Sequence, residues 1–450
     1  MKILQIYSML NKQKHGNQIG FYSTFEEQLD HRHPLYVLAG KIDWQLFEEK
    51  FSPLYHPETG RPAKPIRLMV SLLIIKHVRN LSDGGVAGQW AENSYYQYFS
   101  GERMFACGQP CEASELVHFR RRIGEAGIEL ILQESIRVNG DDGNDPHVSV
   151  DTTVQEKNIT YPTDDKLYKK IIKKCQRITG LEQLPLRQSY TRTLKKLGAE
   201  QRFRHHPKNK GRAKRADRKI KTIAGRLVRE LERNLPAQSR YQSDIELFKK
   251  VLAQKRNDSN KTYSLHEPEV RCISKGKEHK KYEFGNKVSV TMTQNTGVIT
   301  GAMAFRNQYD GHTLEAALAQ AERLTGRTPQ TATVDRGYKG RTKIGETHIQ
   351  IPKPFNEKST SKYKQRKLKK AFGRRAAIEP TIGHLKTDHR LGRNFYKGIF
   401  GDNINIMLGA AAFNFKRMMN KWKSSFWVFW KQLILATKYL LVQQSYLLAA

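Results

Sequence analysis

The sequence is poor in cysteine, short of acid relative to base, and without a long uncharged apolar run. Four cysteines in 450 residues (Cys107, Cys111, Cys175 and Cys272) are too few to staple a fold and fit a reducing compartment. The 43 Asp and Glu face 79 Lys and Arg, a net charge of +36. An excess of that size implies a polyanionic partner rather than tuned solubility. A mean hydropathy of −0.68 argues against an integral membrane protein. The N-terminus carries no apolar core followed by a small-residue cleavage site. The greasy stretch 426–450 is broken by Lys431, Gln432, Lys438, Gln443 and Gln444. It reads as an amphipathic helix that docks on the protein or on a second copy, not as a membrane span. No repeat recurs at a fixed period. The 38% hydrophobic content is low but sufficient for a core, which excludes wholesale disorder.

What is there falls into blocks. Residues 31–140 read as helical: an apolar helix at Ile66–Arg79, a second stretch around Val86–Phe99, and a third from Ala113 that contains Arg120, Arg121 and Arg122. This block suits a DNA-binding or dimerisation module, or equally a helical bundle with a solvated arginine face. At His147–Gln155 the period changes to two, with Val148, Val150, Thr152 and Val154 alternating with Ser149, Asp151 and Thr153. That is a strand with one apolar and one polar face, and Asp151 lies on the polar one. Residues 166–222 then hold 20 Lys and Arg against three acids, in a helical pattern that continues to about Leu252. A phosphate-contacting role is preferred here over a merely solvated face.

Strands resume after Leu265. Tyr282–Met292 and Gly297–Phe305 flank a turn at Gln294–Gly297. A helix opens at Asp310 and ends at Gly326, a C-cap. Thr331–Asp335 is a strand whose polar face carries Thr331, Thr333 and Asp335, and Thr347–Pro352 is one more. Two acids on the polar faces of separate strands are costly neighbours unless a cation neutralises them. Hard divalent ions take oxygen ligands, and in a basic protein such a cluster suits phosphodiester chemistry with two ions. A third acid is expected from the basic segment 353–397, which has 14 Lys and Arg. Within it Phe372, Arg375, Glu379 and Lys386 fall within about 60° of one another on an ideal helix. Pro380 implies either a kink or a new helix with Pro380 in its first turn.

These residues carry a resemblance. HPLYVLAGKIDW (33–44), GRPAKPIRLMVSLLIIKH (60–77), VSVDTTVQEKNITYPTD around Asp151, YEFGNKVSV (282–290), TATVDRGY (331–338) and IEPTIGHLKTDHRLGRN (378–394) are similar to bacterial DDE transposases of the insertion-sequence-five group. That group lies within the ribonuclease-H-like polynucleotidyl transferases. The family's third-acid motif is Tyr, two residues, Arg, three residues, Glu, six residues, Lys. Arg375, Glu379 and Lys386 match in place, and Phe372 stands where the family has the tyrosine, keeping a ring and losing a hydroxyl.

The resemblance implies an α/β fold: a ribonuclease-H-like mixed sheet with a basic helical insertion, preceded by a helical N-terminal domain. The implied domains are 1–140, for DNA binding or dimerisation, and 141–420, catalytic, with the insertion at about 165–262. An apolar helical tail occupies 421–450. Asp151, Asp335 and Glu379 are then the catalytic, metal-binding acids for two Mg²⁺, with Mn²⁺ as a substitute. Arg375 and Lys386, with Arg336, Arg374, Arg390 and Arg393, are the DNA contacts. The partners are double-stranded DNA, as terminal inverted repeats and target, and further copies in a dimer or larger synaptic complex. The location is cytoplasmic, on the nucleoid when bound, with no membrane. The other readings are a decayed transposase kept as a DNA-binding repressor or architectural protein, and a nuclease of the same fold that does not join strands.

Several polar residues admit plainer readings. Asp310 beside His312 reads as an N-cap before it reads as an alternative acid. Asp388 and His389 suit a helix end better than phosphate orientation or proton supply. Cys107, Cys111 and His118 lack a zinc spacing and a fourth ligand. Trp44 and Trp90 read as core.

Overall fold

The computed structural model describes residues 23–56, 62–236, 238–255, 257–274, 281–306, 310–335, 337–338, 342–351 and 361–448. The chain divides into two compact units, Met1–Leu72 with Ser82–Phe119 and Met419–Ala450, and Leu73–Leu81 with Arg120–Met418.

The first unit is helical. It holds α1 (Phe25–Gln28), α2 (Pro34–Lys41), α3 (Trp44–Phe51), part of α4 (Ile66–Val78), α5 (Asp83–Glu92), α6 (Ser94–Phe99) and the start of α7 (Ala113–Val138). Side-chain caps set the boundaries: Asp43 accepts from the Leu46 amide, Ser82 from Gly85 and Asn93 from Tyr96. Each satisfies an amide that the first helical turn leaves unpaired. The Asn93 cap also divides the stretch expected as one helix over 86–99 into α5 and α6. Trp90 is buried, its indole N–H donating to Ser100 Oγ at 3.0 Å. Trp44 packs edge-on against Phe99 at 5.2 Å. Trp90 therefore sits in the core, as the sequence suggests, whereas Trp44 is half-buried at its edge. Gly124 kinks α7 with φ 65° and ψ −169°, a conformation that a side chain all but forbids.

The second unit is built on β1 (His147–Glu156), from whose end the chain departs into α8 (Asp164–Leu181), α9 (Thr191–Glu200), α10 (Pro207–Asn234) and α11 (Gln242–Ala253). These four helices have a core of their own, in which Ile171, Ile220, Leu227 and Phe248 are buried together. The sheet then continues with β2 (Arg271–Ser274), β3 (Tyr282–Thr293) and β4 (Ile299–Phe305), then α12 (Asp310–Thr325), β5 (Thr331–Thr333), β6 (Lys343–Ile344) and β7 (Thr347–Gln350). Gly297 turns between β3 and β4 with φ 74°.

Across the seven-stranded sheet the order is β2-β3-β1-β5-β7-β6, with β4 also on β3. β1 is antiparallel to β3 but parallel to β5, and β5 is parallel to β7. This is a mixed α/β sheet, the fold class expected. β2 and β6 are too short to register as a period in the sequence.

One face of the sheet packs Val148, Val150, Ala332 and Val334 under Leu314, Ala317 and Leu318 of α12. The opposite face was expected to be polar, and so it is, but it is not wet: Ser149, Thr153 and Gln155 are all buried. A second helical layer covers it, from α14 (Ile378–Asp388), which follows α13 (Lys362–Ala376), and from α15 (Gly398–Leu448). The Thr381 hydroxyl of α14 reaches Met292 Sδ at 3.3 Å, and Asn405 of α15 donates to Gln155 Oε1 at 2.8 Å. Among the described residues no helix is long and apolar enough to cross a membrane.

Candidate active site

The parallel pairing of β1 with β5 decides where two of the expected acids stand. Ser149 is paired with Thr333, and Asp151 and Asp335 each lie two residues further on. A two-residue step along a strand returns to the same face. By that alternation Asp151 belongs to the helix-covered polar face of β1, and Asp335, beyond the end of β5, continues from the same face of its neighbour. Extension past the end of β5 persists at Val334, whose amide donates to Gln350 O at 3.1 Å. The backbone orients each acid: Asp151 Oδ1 accepts from the Thr152 amide at 2.8 Å, and Asp335 Oδ1 from Gly337 at 2.8 Å. A Cβ at Gly337 would lie 2.9 Å from that same Asp335 oxygen, so the turn after β5 needs a glycine to leave the carboxylate its place.

The third expected acid is on α14. The chain resolves the Pro380 question by starting a new helix: α13 ends at Ala376, Ala377 is the junction, and Pro380 lies in the first turn of α14. Its missing N–H is one that the helix start leaves unpaired in any case. Glu379 is on the helix whose Thr381 touches β3, but two residues is about 200° around a helix, so its side chain points away from that contact. Its side chain is 65% exposed and faces Arg375 Nη2 at 3.6 Å. Arg375 Nε is buried without a hydrogen-bond acceptor. Among the described residues no three His, Cys, Asp or Glu side chains gather closely enough to hold a metal ion. The fold runs β1 alongside β5, two residues short of Asp151 and Asp335, and keeps Glu379 apart on α14, paired with Arg375.

The expected DNA contacts divide by environment. Arg374 and Arg393 are exposed, Lys386 is half-buried, and Arg393 also donates to Ile159 O at 3.2 Å. Arg390 is tethered, donating to Asn80 O at 3.2 Å with its guanidinium 5.7 Å from the centre of the Phe395 ring. Arg336 lies outside the described residues, as do the side chains of Phe372 and Asp310. Arg120 is not part of a solvated arginine face. It is buried and stacks 4.6 Å from the centre of the Tyr396 ring, while Arg121 and Arg122 are exposed. His389 is buried too, its Nδ1 2.9 Å from His77 O, and burial lowers its pKa to about 4. A neutral imidazole enclosed in this way has no proton to offer a substrate. Asp388 ends its helix beside His384, at 3.2 Å, and Lys416, at 3.4 Å.

A buried polar hub beside the site escaped the sequence reading. The Asp402 carboxylate is fully enclosed and binds Lys157 at 2.9 Å, Asn286 at 2.6 Å, Asn394 at 2.7 Å and Gln155 at 3.0 Å. Asn394 also bridges to β1 through its amide, which donates to Glu156 O at 2.7 Å. The hub thus ties the end of β1 to the segment that follows α14. One signal for it existed: a carboxylate in the apolar run GIFGDNINIMLGAAAF (398–413) requires a buried partner.

Comparison with known proteins shows the family. Residues 23–122 match the family model described as "Transposase domain (DUF772)", and 253–415 match the "Transposase DDE domain". The chain is 40% identical over 196 residues to a Rhizobium meliloti protein described as "Uncharacterized protein ORF8 in nfe locus", a match that takes in 42% of this chain and 94% of that protein. No solved structure matches. With both transposase models matched in chain order on a mixed sheet of this topology, the chain belongs to the DDE transposases, polynucleotidyl transferases of the ribonuclease-H-like fold.

Proposed function

We propose that the protein is a working insertion-sequence transposase. It binds terminal inverted repeats, cuts at the element's ends and joins the exposed 3′-hydroxyls to target DNA. The observation that supports this reading is the parallel register of β1 and β5, which pairs Ser149 with Thr333, each two residues before one of the acids. Two hard-oxygen donors so placed fit a divalent ion, and enzymes of this family generally use such ions. Asp151, Asp335 and Glu379 would hold two Mg²⁺, or Mn²⁺ in their place, which when bound supply charge stabilisation at the scissile phosphate.

The remaining roles belong to the chain. Arg375, itself largely buried, is engaged by Glu379 through one ion pair and keeps its Nε without an acceptor. A DNA phosphate offers Arg375 a charge-assisted, bidentate partner. Exchange of Glu379 for that phosphate releases the carboxylate toward the other two acids. Lys386, one helical face along α14, and the exposed Arg374 and Arg393 hold the strand on either side. Positioning and electrostatic stabilisation account for the chemistry, and no covalent enzyme intermediate is needed. Both element ends must meet, which calls for a dimer or larger complex.

One observation favours the second reading, a DNA binder without chemistry: the three acids are not gathered in this structure. A strand-transfer assay with pre-cleaved ends and Mn²⁺ separates the readings. Joined product supports the transposase, nicking alone a nuclease, and a band shift alone the binder. Asp151→Asn is expected to abolish joining and keep end binding; joining that persists removes Asp151 from the site.

A further inference from the structure

The insertion presents a surface that the catalytic reading leaves unused. α10 is one helix from Pro207 to Asn234. Its buried stripe, with Ile220, Ile223, Leu227 and Leu231, packs into the core of the insertion. Its exposed side carries Lys208, Arg212, Arg215, Lys219, Arg226 and Arg233. These six lie within about 60° of one another around the helix, in a row about 37 Å long. Among the described residues none of their side chains has an ion pair or a hydrogen bond.

The nearby carboxylates are engaged elsewhere. Asp217 takes Arg204 at 3.1 Å, Asp244 takes Lys174 at 3.0 Å, Glu232 takes Lys249, and Glu182 takes Arg240. Like charges three or four residues apart repel along a helix, as Lys208 and Arg212 do, and Arg215 and Lys219. The row therefore weakens the helix, and among the described residues no ion pair to any of the six offsets it.

A polyanion does, and the details select its kind. The row is close to one turn of duplex DNA, about 34–36 Å. α10 contains no aromatic residue, so it has no platform on which unpaired bases could stack. We propose that the α10 row is a second DNA-binding surface, apart from the carboxylate site, that grips the sugar–phosphate backbone of duplex DNA without reading its sequence. This rests on the reading of the chain as an enzyme of DNA and adds where, beyond the cut, the DNA is held.

The test is the salt dependence of binding by the full chain to a fluorescent duplex of arbitrary sequence. In R212Q/R215Q/K219Q/R226Q the slope of log affinity against log salt is expected to become shallower by about 3 to 4, since each lost phosphate contact removes about 0.9. The loss is expected to be equal across sequences. R215Q/K219Q is expected to give half the change, and R212K/R215K/R226K to restore the wild-type slope, because a backbone contact asks only for positive charge. A slope unchanged in the folded quadruple variant, with circular dichroism as the check on folding, overturns the proposal and leaves the enzymatic reading standing. A slope that shallows as expected while the wild type never joins strands does the reverse.

Discussion

Lys157 Nζ lies 2.9 Å from Asp402 Oδ1, and neither side chain reaches solvent. Removal of one member of a buried pair costs about 3–5 kcal/mol, here toward the lower end because Lys157 keeps a second carboxylate, Glu267, at 3.7 Å. Asp402→Asn, which keeps the shape, is therefore expected to lower the unfolding free energy by about that amount. Lys157→Met/Asp402→Leu is expected to recover part of the loss. Urea denaturation of the three proteins is the measurement, and a double variant no better than the single one would mean that the hub acts through its amides instead.

Glu379 separates stability from chemistry. Its side of the ion pair with Arg375 is exposed and the separation is 3.6 Å, and pairs open to solvent contribute about 0–1 kcal/mol. Glu379→Gln is expected to leave the denaturation midpoint almost unmoved while strand transfer falls about a hundredfold or more. Wild-type strand transfer in this variant would disprove the assignment of the third acid.

Acidification is expected to destabilise the protein between pH 6.5 and about 4, the range between the ordinary histidine value and that of His389. The buried ring stays neutral in the folded state, while the unfolded chain takes up a proton below 6.5. Stability is thus full above that value and is lost as pH falls through the window, by about 3 kcal/mol from this residue. Burial, and then the Lys76 charge, push His77 in the same direction. Urea midpoints measured across the window are expected to flatten in His389→Gln.

Gly285 tests the pairing of β1 with β3. A Cβ there would meet Gln155 O at 1.9 Å and Glu156 Cα at 2.9 Å, both backbone atoms that cannot rotate aside. Gly285→Ala is expected to cost about 3 kcal/mol or more and to reduce soluble yield. Yield and thermal midpoint equal to wild type would show that the strands separate more easily than their geometry suggests.

Much of the second unit was legible because local chemistry and tertiary structure agree there. The period-two pattern around Asp151, the turn at Gly297 and the stop at Gly326 are features of a few adjacent residues, and the fold keeps each of them. The polar face of β1 was legible as polar but not as buried, because nothing in a strand tells whether helices more than 220 positions later, α14 and α15, return to cover it. Arg120 shows the same limit: in sequence it is one of three arginines, and only the approach of Tyr396 separates it from the other two.

The sequence by itself determined the charge of the partner, the identity of the three candidate acids and the family, because these follow from residue types and short spacings. Only the tertiary structure decided that β1 and β5 run in parallel register just before Asp151 and Asp335, that Glu379 faces Arg375 at the start of a new helix, and that Lys157 and Asp402 lock β1 to the segment after α14. Register, burial and ion pairing depend on which distant segments pack together, and that choice is made by the whole chain at once.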